Sequence, residues 1–279
     1  MPNNKRHYQP VHHQNKAQIE LGMKRFLHGL YKDYQCFVNI SDLPNFKISF
    51  FDLKQNKGTK AYVQLPNPNQ PNYILHAETT ALTAIRPRLK PLYFHEFTHI
   101  WDHYTIAQQY HNLGWATINT MTTLYSEFHA TVVEMQAGTG FDFYFEARIL
   151  TPDSTFQADF EDVTLSEYLA ERHSNMSKLL QSSGIPRNAE TWISFLRFLA
   201  YYIGRMYFAD KYVEGNLSSV FDLSIFDPIL GKDVYSIRDH LYNASPTLPQ
   251  LAPLVILQRK TKEHFLQDVF PTHAENSLV

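Results

Sequence analysis

The hydrophobic pattern of this chain changes at Pro91, and that change restricts the class of fold. Between residues 37 and 78, after a predicted first helix, short segments rich in β-branched and aromatic residues are separated by polar or Pro-rich breaks, which is typical of strands. After Pro91, apolar residues recur at the three- and four-residue spacing of helices almost to the C-terminus. We therefore predict an α+β fold, in which a small, mostly antiparallel N-terminal sheet precedes a predominantly helical body. The predicted strands are 37–40, 47–53, 61–65 and 72–78, and the predicted helices are approximately 18–34, 91–110, 117–137, 165–182, 189–212, 233–242 and 252–268.

The composition excludes several classes of function. The 279 residues include 25 Lys+Arg and 27 Asp+Glu, so the formal net charge is −2, and only 19% of the residues are charged. This balance excludes strong electrostatic attraction to nucleic acid or to an anionic membrane surface. The lone Cys36 excludes an intramolecular disulfide, and the polar start of the chain has no apolar segment of the kind found in secretory signals. We therefore expect a cytoplasmic protein whose partners include neither nucleic acid nor membrane.

The patterns divide the chain into three parts. Residues 1–15 are polar and rich in His and Asn, which predicts a flexible arm. Residues 16–140 contain the predicted sheet and the first two helices that follow it, and we expect them to form the core that carries the chemistry. Residues 141–279 form a helical C-terminal part that we expect to pack on this core, because no long linker separates the two.

One predicted helix carries side chains with the spacing of a metal site. His95 and His99 are four residues apart, so on a helix both lie on one face and can bind one metal ion. Glu96 lies about 100° round the helix from His95, where a general base can take a proton from metal-bound water. Zinc lowers the pKa of such water toward about 7. The competing interpretation is a core helix whose histidines only form hydrogen bonds.

With His95, Glu96 and His99 in the order HExxH, this segment resembles the active-site helix of the zincin metallopeptidases. The resemblance covers about residues 70–137. It implies a zincin-like fold for residues 16–140, Zn²⁺ as the cofactor and peptide-bond hydrolysis as the activity. The metzincin branch is excluded, because its pattern has a helix-breaking Gly and a third His at the position where this chain has Thr105.

A zinc site with two His ligands needs a third protein ligand and an open position for water. The next predicted helix offers Glu127, 28 residues after His99, which leaves room for a loop and a returning antiparallel helix. Its Glu127-x-x-Ala130 pattern resembles the third-ligand helix of the gluzincin branch. Glu134, two turns further along the same face, is the alternative third ligand.

The groups that surround these ligands are less well defined. Asp102, three residues after His99, is within reach of the outer nitrogen of that ring, where a carboxylate would orient the ligand. A solvated Asp102 or a pair with His103 is the alternative. In the gluzincin pattern an Asp four residues after the ligand Glu supports the first His, but this chain has Thr131 there, so the support of His95 is unassigned. The candidates for stabilising a developing oxyanion are Tyr125, His173, Tyr201 and Tyr202.

Together these residues predict a zinc-dependent hydrolase of peptide bonds, with a peptide or protein as its substrate. His95, His99 and Glu127 would hold the metal, and Glu96 would act as the general base. By analogy with the zincin fold, the peptide would add as a strand to a sheet edge formed by residues 72–78. The alternatives are a zincin-fold binding or regulatory protein without peptidase activity, and a metal-free helical scaffold.

Overall fold

A computed structural model describes residues 16–51, 60–78, 86–158, 161–183, 186 and 188–269. The predicted arm over residues 1–15 lies outside this described part. The described residues form a mixed α+β fold, in which a small sheet is followed by a predominantly helical body, so the predicted class is confirmed at this level. None of the helices in the described part combines the length and the apolar composition that crossing a lipid bilayer requires.

Helices form the larger part of the described chain, and the helical periodicity of the sequence locates most of them. They are α1 (Lys16–Val38), α2 (Lys90–Gln109), α3 (Trp115–Gly138), α4 (Leu165–Ser183), α5 (Ala189–Tyr212), α6 (Asp227–Leu230), α7 (Asp233–Tyr242) and α8 (Leu248–His264). Shorter turns of 3₁₀-helix cover Arg86–Leu89, Leu217–Val220 and Leu223–Phe226, and a π-helical turn covers Phe265–Val269.

The predicted strand over residues 37–40 is wrong, because α1 continues through Val38. Phe37 is buried against Phe94, with 5.2 Å between the ring centroids, so it extends the buried face of the helix. Asn39 then adopts a positive φ of 56°, which ends the helix. A short apolar run of this kind does not distinguish a strand from the last turn of a helix.

The main sheet is mixed, so the prediction of a mostly antiparallel sheet is wrong. Its strands are β1 (Phe46–Phe51), β2 (Ala61–Gln64) and β3 (Tyr73–Glu78), in the order β1-β3-β2. The central strand β3 pairs in parallel with β1 and antiparallel with β2. The prediction that residues 72–78 form an edge is therefore also wrong, because both sides of β3 are paired, and β1 and β2 form the edges of the sheet in the described residues. A second, unpredicted pair joins β4 (Thr155–Gln157) to β5 (Asp162–Thr164).

Two adjacent helices, α2 and α3, form an antiparallel hairpin around which the other elements pack. On one side, α1 packs against α2, and the Tyr34 hydroxyl group donates a hydrogen bond to Thr98 Oγ1 over 3.0 Å. On another side, α5 packs against α3. The hydrophobic core continues past residue 140, since the buried rings of Phe141 and Phe208 contact each other with 6.4 Å between their centroids.

The helices α3 and α5 pack closely together at Gly204. A Cβ atom at this position would lie 2.9 Å from Thr131 Cβ and 3.0 Å from the carbonyl oxygen of Phe128. That oxygen belongs to the backbone of α3 and cannot move away as a flexible side chain can. The absence of a side chain at Gly204 therefore sets the distance between two helices that both reach the site described below.

We expect Gly204→Ala to lower the free energy of unfolding by about 1–2 kcal/mol, because the added methyl group overpacks the contact between α3 and α5. Gly29→Ala on α1 is the matched control, since its Cβ atom would meet nothing within 4 Å. Alanine favours a helix over glycine by up to about 1 kcal/mol, so the control should be neutral or stabilising. Urea denaturation followed by circular dichroism measures the free energy of unfolding of both variants. If the two substitutions changed it equally, the close contact of α3 and α5 at Gly204 would be contradicted.

Candidate metal centre

The helix α2 places the two predicted histidine ligands side by side. It has Pro91 in its first turn, where the missing N–H of proline would have no helical partner. His95 and His99 then lie one turn apart on the same face, with 4.9 Å between their ring centroids. His95 and Glu96 are buried and His99 is partly buried, so the site lies within the protein but is reached from outside.

Glu127 on α3 faces these two rings. Its Oε2 atom lies 3.5 Å from His95 Nε2 and 3.4 Å from His99 Nε2, and the three atoms lie within 4.8 Å of one another. This buried oxygen accepts no well-formed hydrogen bond from any residue that the structure describes. Donor atoms around a tetrahedral zinc ion are themselves about 3.4 Å apart. The two distances from Glu127 Oε2 are close to this value, so the three residues could hold a metal ion.

The outer ring nitrogens of both histidines have partners on α3. His95 Nδ1 lies 3.0 Å from Glu134 Oε2, and His99 Nδ1 lies 2.8 Å from Ser126 Oγ. These contacts orient both rings so that Nε2 faces Glu127, and a carboxylate on the outer nitrogen also makes the ring a more basic ligand. Glu134, the alternative third ligand, thus lies on the opposite side of the His95 ring and supplies the support that the sequence left unassigned.

Asp102 does not contact His99, so the prediction that it orients this ring is wrong. Its Oδ1 atom instead lies 2.8 Å from His129 Nδ1, in a buried pair between α2 and α3. The alternative partner, His103, lies with its Nδ1 atom 2.8 Å from the Tyr73 hydroxyl oxygen. The physical reason is that a serine of α3 already occupies the outer nitrogen of His99, while a buried carboxylate needs a partner of its own.

Two residues of α5 complete the surroundings of Glu127. Arg197 Nε lies 3.1 Å from Glu127 Oε1, the oxygen that does not face the two rings. The Tyr201 side chain lines the same cleft as Glu127, and its ring centroid lies 5.7 Å from that of His95. Sequence analysis nominated Tyr201 as an oxyanion donor and missed Arg197. The available signal was an arginine in an apolar helix, four residues before that tyrosine and on the same face.

The other three candidates for an oxyanion donor lie outside the cleft that contains the site. Tyr125 packs against His129, with 5.5 Å between the ring centroids. His173 Nδ1 lies 2.8 Å from the Tyr202 hydroxyl oxygen, and this hydroxyl group also bonds to the backbone of Asp222. The structure therefore leaves Tyr201 as the candidate that is near the histidines.

Glu96 lies between the two histidines and the edge strand β2. Its Oε2 atom accepts a hydrogen bond from the backbone N–H of Val63 over 2.9 Å. Burial raises the pKa of Glu96, although the nearby rings of His99 and His95 lower it in part. A raised pKa suits a carboxyl group that must both take up and release a proton near neutral pH.

An open cleft of about 400 Å³ gives access to these groups. The edge strand β2 lines one side of it with Ala61, Tyr62 and Val63, and α3 and α5 line the other. Its volume is within the range of about 300–1,000 Å³ that is usual for ligand pockets. The cleft therefore connects His99 and Glu96 with solvent and has room for a ligand.

In the absence of a cation, the charges at the site pair with one another. Burial lowers the pKa of His95, but the nearby carboxylates of Glu127 and Glu134 outweigh this effect and raise the pKa to about 10. Burial raises the pKa of Glu127, but the His99 and His95 rings outweigh it and hold the pKa well below its ordinary value. Because only a neutral imidazole nitrogen binds a metal ion, a proton on His95 competes with the metal.

Comparisons of this chain with protein-family models, with curated proteins and with solved structures found no match. The function proposed below is therefore based on the residues of the site. Of the predicted site residues, the structure brings together His95, Glu96, His99 and Glu127, places Glu134 behind His95, and separates Asp102 from all of the ligand atoms.

We expect Glu134→Gln to weaken zinc binding by roughly 10- to 100-fold, because it removes the carboxylate that orients His95. Asp102→Asn is the matched control, since it changes a buried carboxylate of the same helix pair that contacts no ligand atom. Competition with a fluorescent zinc chelator measures both affinities. If Asp102→Asn weakened binding as much as Glu134→Gln does, the roles assigned to the two carboxylates would be wrong.

We expect the stability of the metal-free protein to fall as the pH rises above about 6.5, the ordinary pKa of histidine in an unfolded chain. The pKa of His95 is about 10 in the folded protein, so its stabilising contribution is complete below the unfolded value and is lost as the pH approaches the folded value. The zinc-loaded protein should not show this loss, because metal binding needs the neutral ring. Melting temperatures of both forms across this interval test the prediction. A metal-free form whose melting temperature stays constant or rises would contradict it.

Proposed function

We propose that this protein is a zinc-dependent hydrolase of peptide bonds. The observation that carries the proposal is the convergence of His95 Nε2, His99 Nε2 and Glu127 Oε2 within 4.8 Å, beside the buried carboxyl group of Glu96 and in an open cleft. Two histidines and one glutamate are a ligand set of catalytic zinc sites, which keep a fourth position open. The resemblance of the HExxH segment to the zincin metallopeptidases supports the same activity.

Each group of the site then has a role in hydrolysis. When bound to His95, His99 and Glu127, zinc would supply a Lewis acid that polarises the peptide carbonyl group and lowers the pKa of water. Glu96 accepts the proton of the attacking water, while the Val63 N–H group holds one of its carboxylate oxygens in place. The same carboxyl group then donates this proton to the leaving amine, a task that its raised pKa favours.

Tyr201 is our candidate for the donor that stabilises negative charge on the carbonyl oxygen. Burial raises the pKa of its hydroxyl group, and the nearby charges of Glu127 and Glu96 raise it further, so the group stays protonated at physiological pH and can donate. Its side chain lines the cleft beside the ligands. A hydrogen-bond donor held in a partly dry site stabilises developing charge more than the same donor in water does.

The substrate backbone would lie along β2. On one side, β2 is paired with β3, for example by the hydrogen bond from the Glu78 N–H group to the Lys60 carbonyl oxygen over 2.9 Å. Because pairing alternates along an antiparallel strand, the backbone groups of Tyr62 point toward β3 and those of Val63 point away from it. The Val63 N–H group reaches Glu96, so the outer edge of β2 faces the cleft. An extended peptide that pairs with this edge would pass the general base.

Metal analysis of the tag-free protein, combined with cleavage of a fluorogenic peptide library, tests the proposal. We expect about one zinc ion per chain, which His99→Ala and Glu127→Ala should lose together with activity. Glu96→Gln should retain zinc and lose activity by roughly 10²- to 10⁴-fold, because it removes only the general base. His240→Ala removes an exposed imidazole of α7 and serves as the control for non-specific metal binding.

The outcomes separate the proposed function from its alternatives. A protein that binds no zinc even after reconstitution would overturn the proposal and favour a metal-free scaffold. Zinc bound at the site without cleavage of any peptide would favour a binding or regulatory protein. Zinc that is retained in Glu127→Ala would show that a different residue provides the third ligand.

A further inference from the structure

We propose that Arg197 binds a carboxylate group of the substrate close to the scissile peptide bond. This inference rests on the proposed function, and it narrows that function from a type of reaction to a class of substrate. The preferred peptides would carry a carboxylate at this place, either in an acidic side chain or at a free C-terminus. The two sources present the same chemistry to the arginine, and the experiment below distinguishes them.

One nitrogen of Arg197 is held by the site, and the others are presented to the cleft. Its Nε atom lies 3.1 Å from Glu127 Oε1, yet 52% of the side chain is exposed. A guanidinium group has five N–H donors, and the four on the two terminal nitrogens remain when Nε is used. None of the residues that the structure describes bonds to these terminal nitrogens. They form an unused planar donor set in the wall of the cleft.

Arg197 neutralises the charge of Glu127, but this role alone does not explain why half of the Arg197 side chain is exposed. The same helix contains a second arginine, Arg205, two turns further on, and it shows the arrangement of an interior counter-ion. Its Nε atom is buried, and its charge lies beside Glu134 and Tyr168. Arg197 instead keeps its terminal nitrogens in the cleft, where they can meet a ligand.

Arg197 also determines the charge of its side of the cleft. Among the described residues that line the cleft, it is the one lysine or arginine. The cleft lining from α3 includes Thr122 and Thr123, whose hydroxyl groups donate to carbonyl oxygens of their own helix. Apolar side chains line the facing side of the cleft, Val63 from β2 and Leu65 from just after it. On this side of the cleft, an anionic group of the substrate would therefore contact the Arg197 guanidinium group. Hydrogen bonds between two charged groups of this kind are strong.

The shape of the guanidinium group favours a carboxylate over a single carbonyl oxygen. Its two terminal nitrogens can donate in one plane to both oxygens of a carboxylate, which a lysine cannot do. Because Arg197 is bonded directly to a proposed metal ligand, its reach is short. Consecutive residues of an extended peptide advance by about 3.3–3.6 Å, so the recognised carboxylate belongs to a residue that flanks the scissile bond.

The test uses four peptides built on one cleavable sequence. The residue that flanks the scissile bond is Glu or Gln, and each peptide is made as the free acid and as the C-terminal amide, with cleavage next to that terminus. Hydrolysis is measured with zinc-loaded native protein, Arg197→Gln and Arg197→Lys. Binding is measured separately by fluorescence anisotropy in the Glu96→Gln background, with and without Arg197→Gln. Arg259→Gln, which changes an arginine side chain of α8 that is 83% exposed, is the matched control.

We expect the native protein to prefer the carboxylate-bearing peptide over its neutral counterpart by roughly 10- to 100-fold in kcat/KM, the range expected for a hydrogen bond to a charged group. This preference should appear mainly in KM and in the dissociation constant. Arg197→Gln should abolish it, Arg197→Lys should keep part of it, and Arg259→Gln should leave it unchanged. A purely structural role for Arg197 would lower the cleavage of all four peptides equally and leave their ratios intact.

The results distinguish failure of the inference from failure of the proposed function. A preference for Glu in the amidated peptides identifies an acidic side chain, and a preference for free acids identifies the C-terminus. Cleavage without any such preference, or with a preference that survives in Arg197→Gln, overturns the inference and leaves the hydrolase in place. Binding that depends on Arg197 without any cleavage overturns the hydrolase and leaves the recognition in place. If the protein neither binds nor cleaves these peptides, both the inference and the proposed function are overturned.

Discussion

The contact between α2 and α3 is the constraint on which the rest of this structure depends. Ionisable groups are buried along it, and a buried charge is tolerated only where it has a partner. His95 lies between Glu127 and Glu134, and His129 is paired with Asp102. Each partnership joins one residue of α2 to one of α3, so a shift of either helix by one turn would leave several charges unpaired. The polar pairs therefore specify the alignment of the hairpin, and the apolar faces of α1 and α5 stabilise it.

Sequence reasoning succeeded where the partners are close along the chain. The shared face of His95 and His99 follows from helical spacing alone, and Glu127 lies in the next helix of the same hairpin. It failed for the sheet, because the order of strands depends on pairing between distant segments. β3 shows the burial of alternate residues that a strand next to the core requires, and this pattern is compatible with a central or an edge position. The residue pattern of neither segment indicates that β3 pairs in parallel with β1.

The groups that reach the site from other elements were the hardest to predict. Val63 meets Glu96 through its backbone N–H group, which every residue except proline possesses, so no side-chain pattern could indicate it. Arg197 comes from α5, and its spacing from the HExxH segment has no fixed value in a helical body of this kind. Tyr201 was nominated by its chemistry, and its position beside His95 in the cleft, a tertiary feature, distinguished it from the other candidates.

The pairing of His95 with two carboxylates also bears on the order of folding and metal binding. In the smallest zinc domains the ion itself drives folding, so the chain stays unfolded until the metal arrives. Here the interior is already electrically compensated by a protonated His95 and by Arg197, and the hydrophobic core extends far beyond the site. We therefore expect the chain to fold without the proposed ion and to bind it afterwards. In that case the supply of metal would determine which fraction of the folded protein carries the proposed ion, and would not determine whether the protein folds.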